Sequence, residues 1–259
     1  QRIFKALGAE LHIMHANPDG ENINANCGST HMDGIIDYVN AYGMDLGLAF
    51  DGDSDRCLAV DEKGNLIDGD RLIAVFAKSL KEQNKLKGNT AVVTVMTNIG
   101  FKKFAKENGI DVAETGVGDR YVLEEMLKKD FVIGGEQSGH IIFKDFATTG
   151  DGQLTGVQFA SIMARTGKKA SELASVMQVF PQTMINVKAT PKLKEMLKTD
   201  ADILAAIDSA SKQLGDEGRI LVRASGTEPL IRVMLEGENI KEIAALAEKV
   251  AAVIESKGE

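Results

Sequence analysis

Cysteine is scarce: Cys27 and Cys57 are the two in 259 residues. They lie far apart and lack the paired spacing that holds a metal, so the simplest reading is two reduced thiols in a cytoplasmic protein. Long apolar runs are missing too. Nothing approaches the roughly 20 residues of a membrane span, and no stretch has the make-up of a secretory leader. Positive charge is also short, because 30 Lys and Arg against 38 Asp and Glu leave a net charge of -8. That balance argues against a nucleic-acid or anionic-membrane surface. There is no internal repeat and no low-complexity tract. What is present is ordinary for a globular protein, 44% hydrophobic and 26% charged. The length suits one large or two medium domains, each able to bury a core.

The chain is organised around residues 46–61, where one apolar run of strand length enters a turn and a second leaves it. The turn reads Asp51-Gly52-Asp53-Ser54-Asp55-Arg56. Three carboxylates this close repel one another, and a hard cation that takes oxygen ligands is the best reason to gather them. Gly52 allows the bend, and Arg56 can reach a phosphate or offset surplus charge. A solvated acidic turn is the plain alternative. An EF-hand fails, because its sixth position needs Gly and here holds Arg56, and because the flanks read as strands. The third reading is a phosphoryl-transfer site, which requires sugar- and phosphate-binding partners elsewhere in the chain.

In order, residues 2–7 read as a helix closed by Gly8, 10–14 as a strand, 17–22 as a loop and 35–42 as a helix closed by Gly43. A hairpin turn at 62–65 leads to Leu66 and Ile67, and Asp70 is the expected cap of a helix over 71–83. Further strands are expected at 91–96, 110–114, 131–133 and 141–143, and helices at 100–108, 121–129 and 153–165. Helices alternating with parallel strands imply a sheet covered on both faces, with functional loops at the strands' carboxyl ends. The last part reads as a small α+β domain, with strands at 184–188, 219–223 and 230–236 and helices at 193–197 and 203–214. A closing helix has Asn239 as its cap and Ile243, Leu246, Ala247, Val250 and Ile254 on one face.

Three more tracts carry chemistry. Gly134-Gly135-Glu136-Gln137-Ser138-Gly139-His140 comes straight off a buried strand, and Glu136, Ser138 and His140 alternate along it. A carboxylate, a hydroxyl and an imidazole can grip vicinal sugar hydroxyls, although a lone loop Glu or His is usually just solvated. Residues 223–232 place Arg223 and Arg232 about Ser225, Gly226 and Thr227, an anion nest with charge-assisted forks rather than an ordinary hairpin turn. The turn with Gly118, Asp119 and Arg120 is a weaker signal, since Asp119 also suits a helix cap. His12 and His15 read as surface or packing residues, and His31 has no visible partner.

In this order and spacing, the loops Asp51-Gly52-Asp53-Ser54-Asp55-Arg56, Gly135-Glu136-Gln137-Ser138-Gly139-His140 and Arg223-Ala224-Ser225-Gly226-Thr227-Glu228-Pro229 resemble the α-D-phosphohexomutase superfamily over essentially the whole chain. Residues 19–24, 26–31 and 117–122, with Gln137, are most similar to its amino-sugar branch. The resemblance implies α/β domains with mixed sheets covered by helices, plus a C-terminal α+β domain. By position it implies the end of a second domain at 1–66, a third, sugar-binding domain at 67–182 and a fourth, phosphate-binding domain at 183–259. It further implies magnesium on Asp51, Asp53 and Asp55, the sugar on Glu136, Ser138, His140, Gly118, Asp119 and Arg120, and the non-transferring phosphate on Arg223, Ser225, Gly226, Thr227 and Arg232. Arg56 would support the chemistry. The implied substrates are glucosamine 6-phosphate and glucosamine 1-phosphate, exchanged through an enzyme phosphoserine and a bisphosphate, in a parent for which a homodimer is open. The family's phosphoserine loop and general-base lysine have no counterpart in these residues, so no turnover is expected from this chain alone. Ser54 and Ala224 stand where the family more often has Gly and Pro; both should be tolerated, with Ser54 stiffening or reshaping the loop. Glucose or mannose phosphates remain alternative substrates. A dehalogenase-like phosphatase with Asp51 as nucleophile is less apt, since Asp55 stands where that family wants Thr or Val. A calcium-binding module is the remaining alternative.

Overall fold

Apolar and β-branched runs become strands only where a neighbour satisfies their backbone groups. In the computed structural model, which describes residues 1–226 and 228–258, the chain divides into two compact units. The first joins residues 1–97 to 101–178, and the second joins residues 98–100 to the chain from residue 179 onward.

The first unit opens with α1 (Arg2–Ala6) and α2 (Asp33–Tyr42). As its sequence predicts, α2 stops at Gly43, which sits in the left-handed region with φ 62°. Residues 10–14 form no strand, because among the described residues they have no ladder partner. Then β1 (Leu46–Phe50), β2 (Cys57–Asp61) and β3 (Leu66–Ile67) make an antiparallel sheet in that order. The helix α3 (Gly69–Glu82) starts two residues earlier than predicted. Its cap is Asp68, whose carboxylate accepts from Arg71 N at 3.0 Å, while Asp70 lies buried inside the first turn.

The second sheet of this unit is built from β4 (Thr90–Thr94), β5 (Asp111–Thr115), β6 (Ile133–Gly135) and β7 (Ile141–Phe143), with α4 (Ile99–Glu107), whose first two residues belong to the second unit, and α5 (Asp119–Lys129) between its strands in the chain. Its strand order is β5-β4-β6-β7. Strand β4 runs parallel to β5 and β6, but β6 and β7 are antiparallel. The expectation of parallel strands throughout is thus corrected: loops 51–56, 62–65 and 136–140 are too short for the crossover that parallel neighbours require. The helices α6 (Gly152–Thr166) and α7 (Ala170–Ala174) complete the unit. Phe76 of α3 meets Phe143 of β7 and Phe159 of α6 edge-on, with centroids 4.9 and 6.4 Å apart, so one aromatic knot joins three elements.

In the second unit β8 (Gln182–Lys188), α8 (Pro191–Met196), α9 (Ala201–Leu214), β9 (Gly218–Ala224), β10 (Leu230–Gly237) and α10 (Ile240–Ser256) form an antiparallel sheet, β8-β10-β9, with helices packed on it. Asn239 caps α10 through Lys241 N and Glu242 N, and the predicted apolar face of that helix is buried. Glu236 of β10 is fully buried and accepts from Arg219 Nε at 2.6 Å and Ile99 N at 2.9 Å. Among the described residues, no helix is long and apolar enough to cross a membrane.

Candidate functional site

Strands β1 and β2 pair from Leu46↔Asp61 to Phe50↔Cys57, so residues 51–56 must reverse the chain. Ser54 makes the reversal with a left-handed backbone, φ 61°. Ser54 N donates to Asp51 O at 3.2 Å, and Arg56 N to Asp51 Oδ1 at 3.1 Å. Thus folded, the loop brings one carboxylate oxygen each of Asp51, Asp53 and Asp55 within 4.8 Å of one another. Burial and the neighbouring Asp51 carboxylate hold the Asp55 carboxyl above its ordinary value. Asp55 Oδ1 is buried without a hydrogen-bond partner. Arg56 Nε stands 3.7 Å from Asp51 and 3.8 Å from Asp55, too far for a hydrogen bond, so it offsets charge without satisfying that oxygen. A divalent cation would do both, and the donor set fits one.

The tract from Gly134 to His140 turns between β6 and β7. Glu136 N donates to His140 O, and Gly139 N to Glu136 O, both at 3.0 Å. The three side chains are unequally placed: Ser138 is exposed, Glu136 half-buried and His140 2% exposed. Glu136 Oε1 accepts from Gly118 N at 2.9 Å, which ties the glycine turn to the loop and leaves Oε2 for another donor. His140 faces the acidic loop, with Nε2 3.5 Å from Asp55 Oδ2 and 3.9 Å from Asp119 Oδ2. Asp119 is no cap: that place falls to Gly118, with φ 129°. Arg120 turns along its own helix to Glu124 at 2.8 Å and is not gathered with the others.

In the second unit β9 and β10 pair Arg223 with Arg232 directly across the ladder. Burial and the facing Arg232 charge lower the Arg223 pKa, the signature of cations held together that an anion would relieve. Ser225 N donates to Leu230 O at 2.8 Å, and Glu228 N to Ser225 Oγ at 3.2 Å. Arg232 is paired with Glu228, and its Nε is buried without a partner. Gly226 is exposed, whereas Thr227 lies outside the described residues.

Comparison with known proteins decides the family. Sequence models of phosphoglucomutase/phosphomannomutase α/β/α domain II, α/β/α domain III and the C-terminal domain match residues 1–64, 68–180 and 184–253. The chain belongs to the phosphoglucomutase/phosphomannomutase family. Phosphoglucosamine mutase of Clostridium novyi is 56% identical over 98% of this chain, and that of Clostridium tetani 53% identical over the same share. The chain spans 57% of the length of each of these curated relatives. A family protein from Burkholderia thailandensis superposes with a TM-score of 0.83 at 26% identity, covering 98% of this chain and 57% of its own. Aspergillus fumigatus N-acetylphosphoglucosamine mutase, solved with GlcNAc-6P and magnesium, shares the fold with a TM-score of 0.72 at 22% identity, covering 91% of this chain and 54% of its own.

Two residues of this phosphohexomutase chain escape a reading of the sequence. Gly69, at the start of α3, donates its amide to Gln137 O at 2.9 Å and has no space for a side chain, since a Cβ would fall 2.1 Å from Glu136 O. Lys194 of α8 donates to Ser225 O and Glu228 O, each at 2.7 Å, clamping both ends of the arginine loop. No local pattern marks either: one reads as a turn glycine and the other as a solvated helix lysine.

Proposed function

We propose that this chain carries the metal, sugar and phosphate loops of a phosphoglucosamine mutase, and that the whole enzyme interconverts glucosamine 6-phosphate and glucosamine 1-phosphate through a phosphoserine and a bisphosphate. The observation that carries the reading is the carboxylate triad with its unsatisfied Asp55 Oδ1. Identity above 50% to proteins named phosphoglucosamine mutase supports the choice of sugar. Asp51, Asp53 and Asp55 would hold magnesium, which when bound draws charge from phosphoryl oxygens. Arg56 adds positive charge at the edge of that site. Glu136 offers Oε2 to a sugar hydroxyl while Oε1 stays on Gly118 N, and Ser138 and His140 complete the grip. Gly118 and Asp119 border the sugar, and Arg120 joins them by leaving Glu124. Arg223, Ser225, Gly226, Thr227 and Arg232 receive the phosphate that is not being transferred, whose two charges relieve the Arg223 and Arg232 repulsion.

We place the phosphoryl-carrying serine and the general base outside these 259 residues. The functional division we adopt is 1–66, 67–182 and 183–259, in a cytoplasmic enzyme. Calorimetric titration with glucosamine 6-phosphate in magnesium, beside glucose 6-phosphate and Arg223→Ala, tests the reading. It expects a preference for the amino sugar and loss of binding in the variant. Equal binding by Arg223→Ala would overturn the phosphate site, and a preference for glucose 6-phosphate would reassign the sugar.

A further inference from the structure

The tract Thr148-Thr149-Gly150-Asp151-Gly152 has no role in the reading above, yet it is wedged against the metal loop. Gly152 N donates to Ser54 O at 2.9 Å, holding the carbonyl of the left-handed residue. Gly150 N donates to His140 Nε2 at 3.2 Å. An amide that donates to Nε2 needs a lone pair there, which puts the imidazole proton on Nδ1. The ring is 2% exposed and cannot exchange this partner for bulk water.

Space, and not conformational freedom, explains the two glycines, since neither has a positive φ. A Cβ on Gly150 would fall 2.5 Å from His140 Nε2 and 2.7 Å from Asp55 O. On Gly152 it would fall 2.5 Å from Arg56 O and 2.9 Å from Ser54 O. Asp151, between them, caps α6 by accepting from Leu154 N at 2.9 Å, so both amides are mounted on the start of a 15-residue helix.

We propose that Gly150 and Gly152 are positioning residues: a backbone template at the head of α6 that sets residues 54–56 and the His140 tautomer, and so presents Asp55 to the cation. The last step rests on the metal reading, and the first two on geometry alone. The test records the ring nitrogens of His140 by ¹⁵N NMR and measures Mn²⁺ binding by electron paramagnetic resonance. The parent chain is compared with Gly150→Ala, Gly152→Ala and, as a control, Thr149→Ala. The parent should show the Nδ1–H tautomer. Both glycine variants should bind Mn²⁺ about tenfold or more weakly, as loss of outer supporting contacts does, and Gly150→Ala alone should shift the ring nitrogens.

An Nε2–H tautomer in the parent, or folded glycine variants that bind Mn²⁺ as the parent does, would overturn the proposal. If the glycine variants do not fold, hydrogen exchange of Gly152 N in the parent decides, and exchange at the rate of an open loop overturns it. Failure of the parent to bind Mn²⁺ sinks the metal reading, while the tautomer and the Gly152 amide still report on the template.

Discussion

Ser54 occupies a backbone region that costs a non-glycine residue about 1–2 kcal/mol. Glycine there would relieve the strain but add about 0.4–1 kcal/mol of unfolded-state entropy. Ser54→Gly should therefore stabilise the chain by about 1 kcal/mol or less in urea unfolding, and β-branched Ser54→Val should destabilise it. Asp68 supplies a pH dependence. Burial raises its carboxyl above its ordinary value, against the Arg71 amide and charge and Gln137, which oppose it. A raised folded pKa means that stability from this group is full below pH 3.8 and is lost as the pH rises through the folded value. Asp68→Asn keeps a capping oxygen without the charge. Stability measured from pH 3 to 7 should fall less steeply in the variant than in the parent. The acidic triad was legible from spacing alone, but the shift at Asp68 was not, because burial is a property of the folded chain.

At the scale of elements, boundaries followed local chemistry wherever a cap or a left-handed glycine fixed them. Gly43 and Asn239 were readable for that reason. The start of α3 was misplaced because Asp68 and Asp70 are equally good caps locally, and only the fit of Gly69 against Glu136 O chooses between them. Strand direction was misread for a related reason: a parallel and an antiparallel run have the same apolar pattern, and loop length decides. Lys194 shows what tertiary contact adds. By binding Ser225 O and Glu228 O it clamps the arginine loop at both ends. Lys194→Met should weaken glucosamine 6-phosphate binding about tenfold, or about 1.4 kcal/mol, by calorimetry, with the far-ultraviolet circular dichroism retained. Unchanged affinity would confine Lys194 to a structural role.

For the whole molecule, the expected α/β layers with an α+β unit after them are the architecture found, because hydrophobic periodicity over long segments constrains it. The Glu236 site could be foreseen only in part, since Arg219 faces it across the β9–β10 ladder but the amide of Ile99 comes from 137 residues away. Glu236→Leu leaves Arg219 without that buried partner and should cost about 3–5 kcal/mol in urea unfolding of the second unit. Magnesium at one hundred times its dissociation constant should in turn stabilise the first unit by about 2.7 kcal/mol, seen as a shifted urea midpoint.

Cys57 begins β2, directly after the acidic loop. Its thiol is fully buried, and burial drives its pKa far above the usual thiol range. Such a sulfur cannot be alkylated until the strand lifts away. The chain thus carries its own clock: the rate at which an alkylating reagent traps Cys57 measures how often this hairpin opens, with half-exposed Cys27 labelling first as the internal reference. A cation seated on the loop should slow that clock without touching the reference.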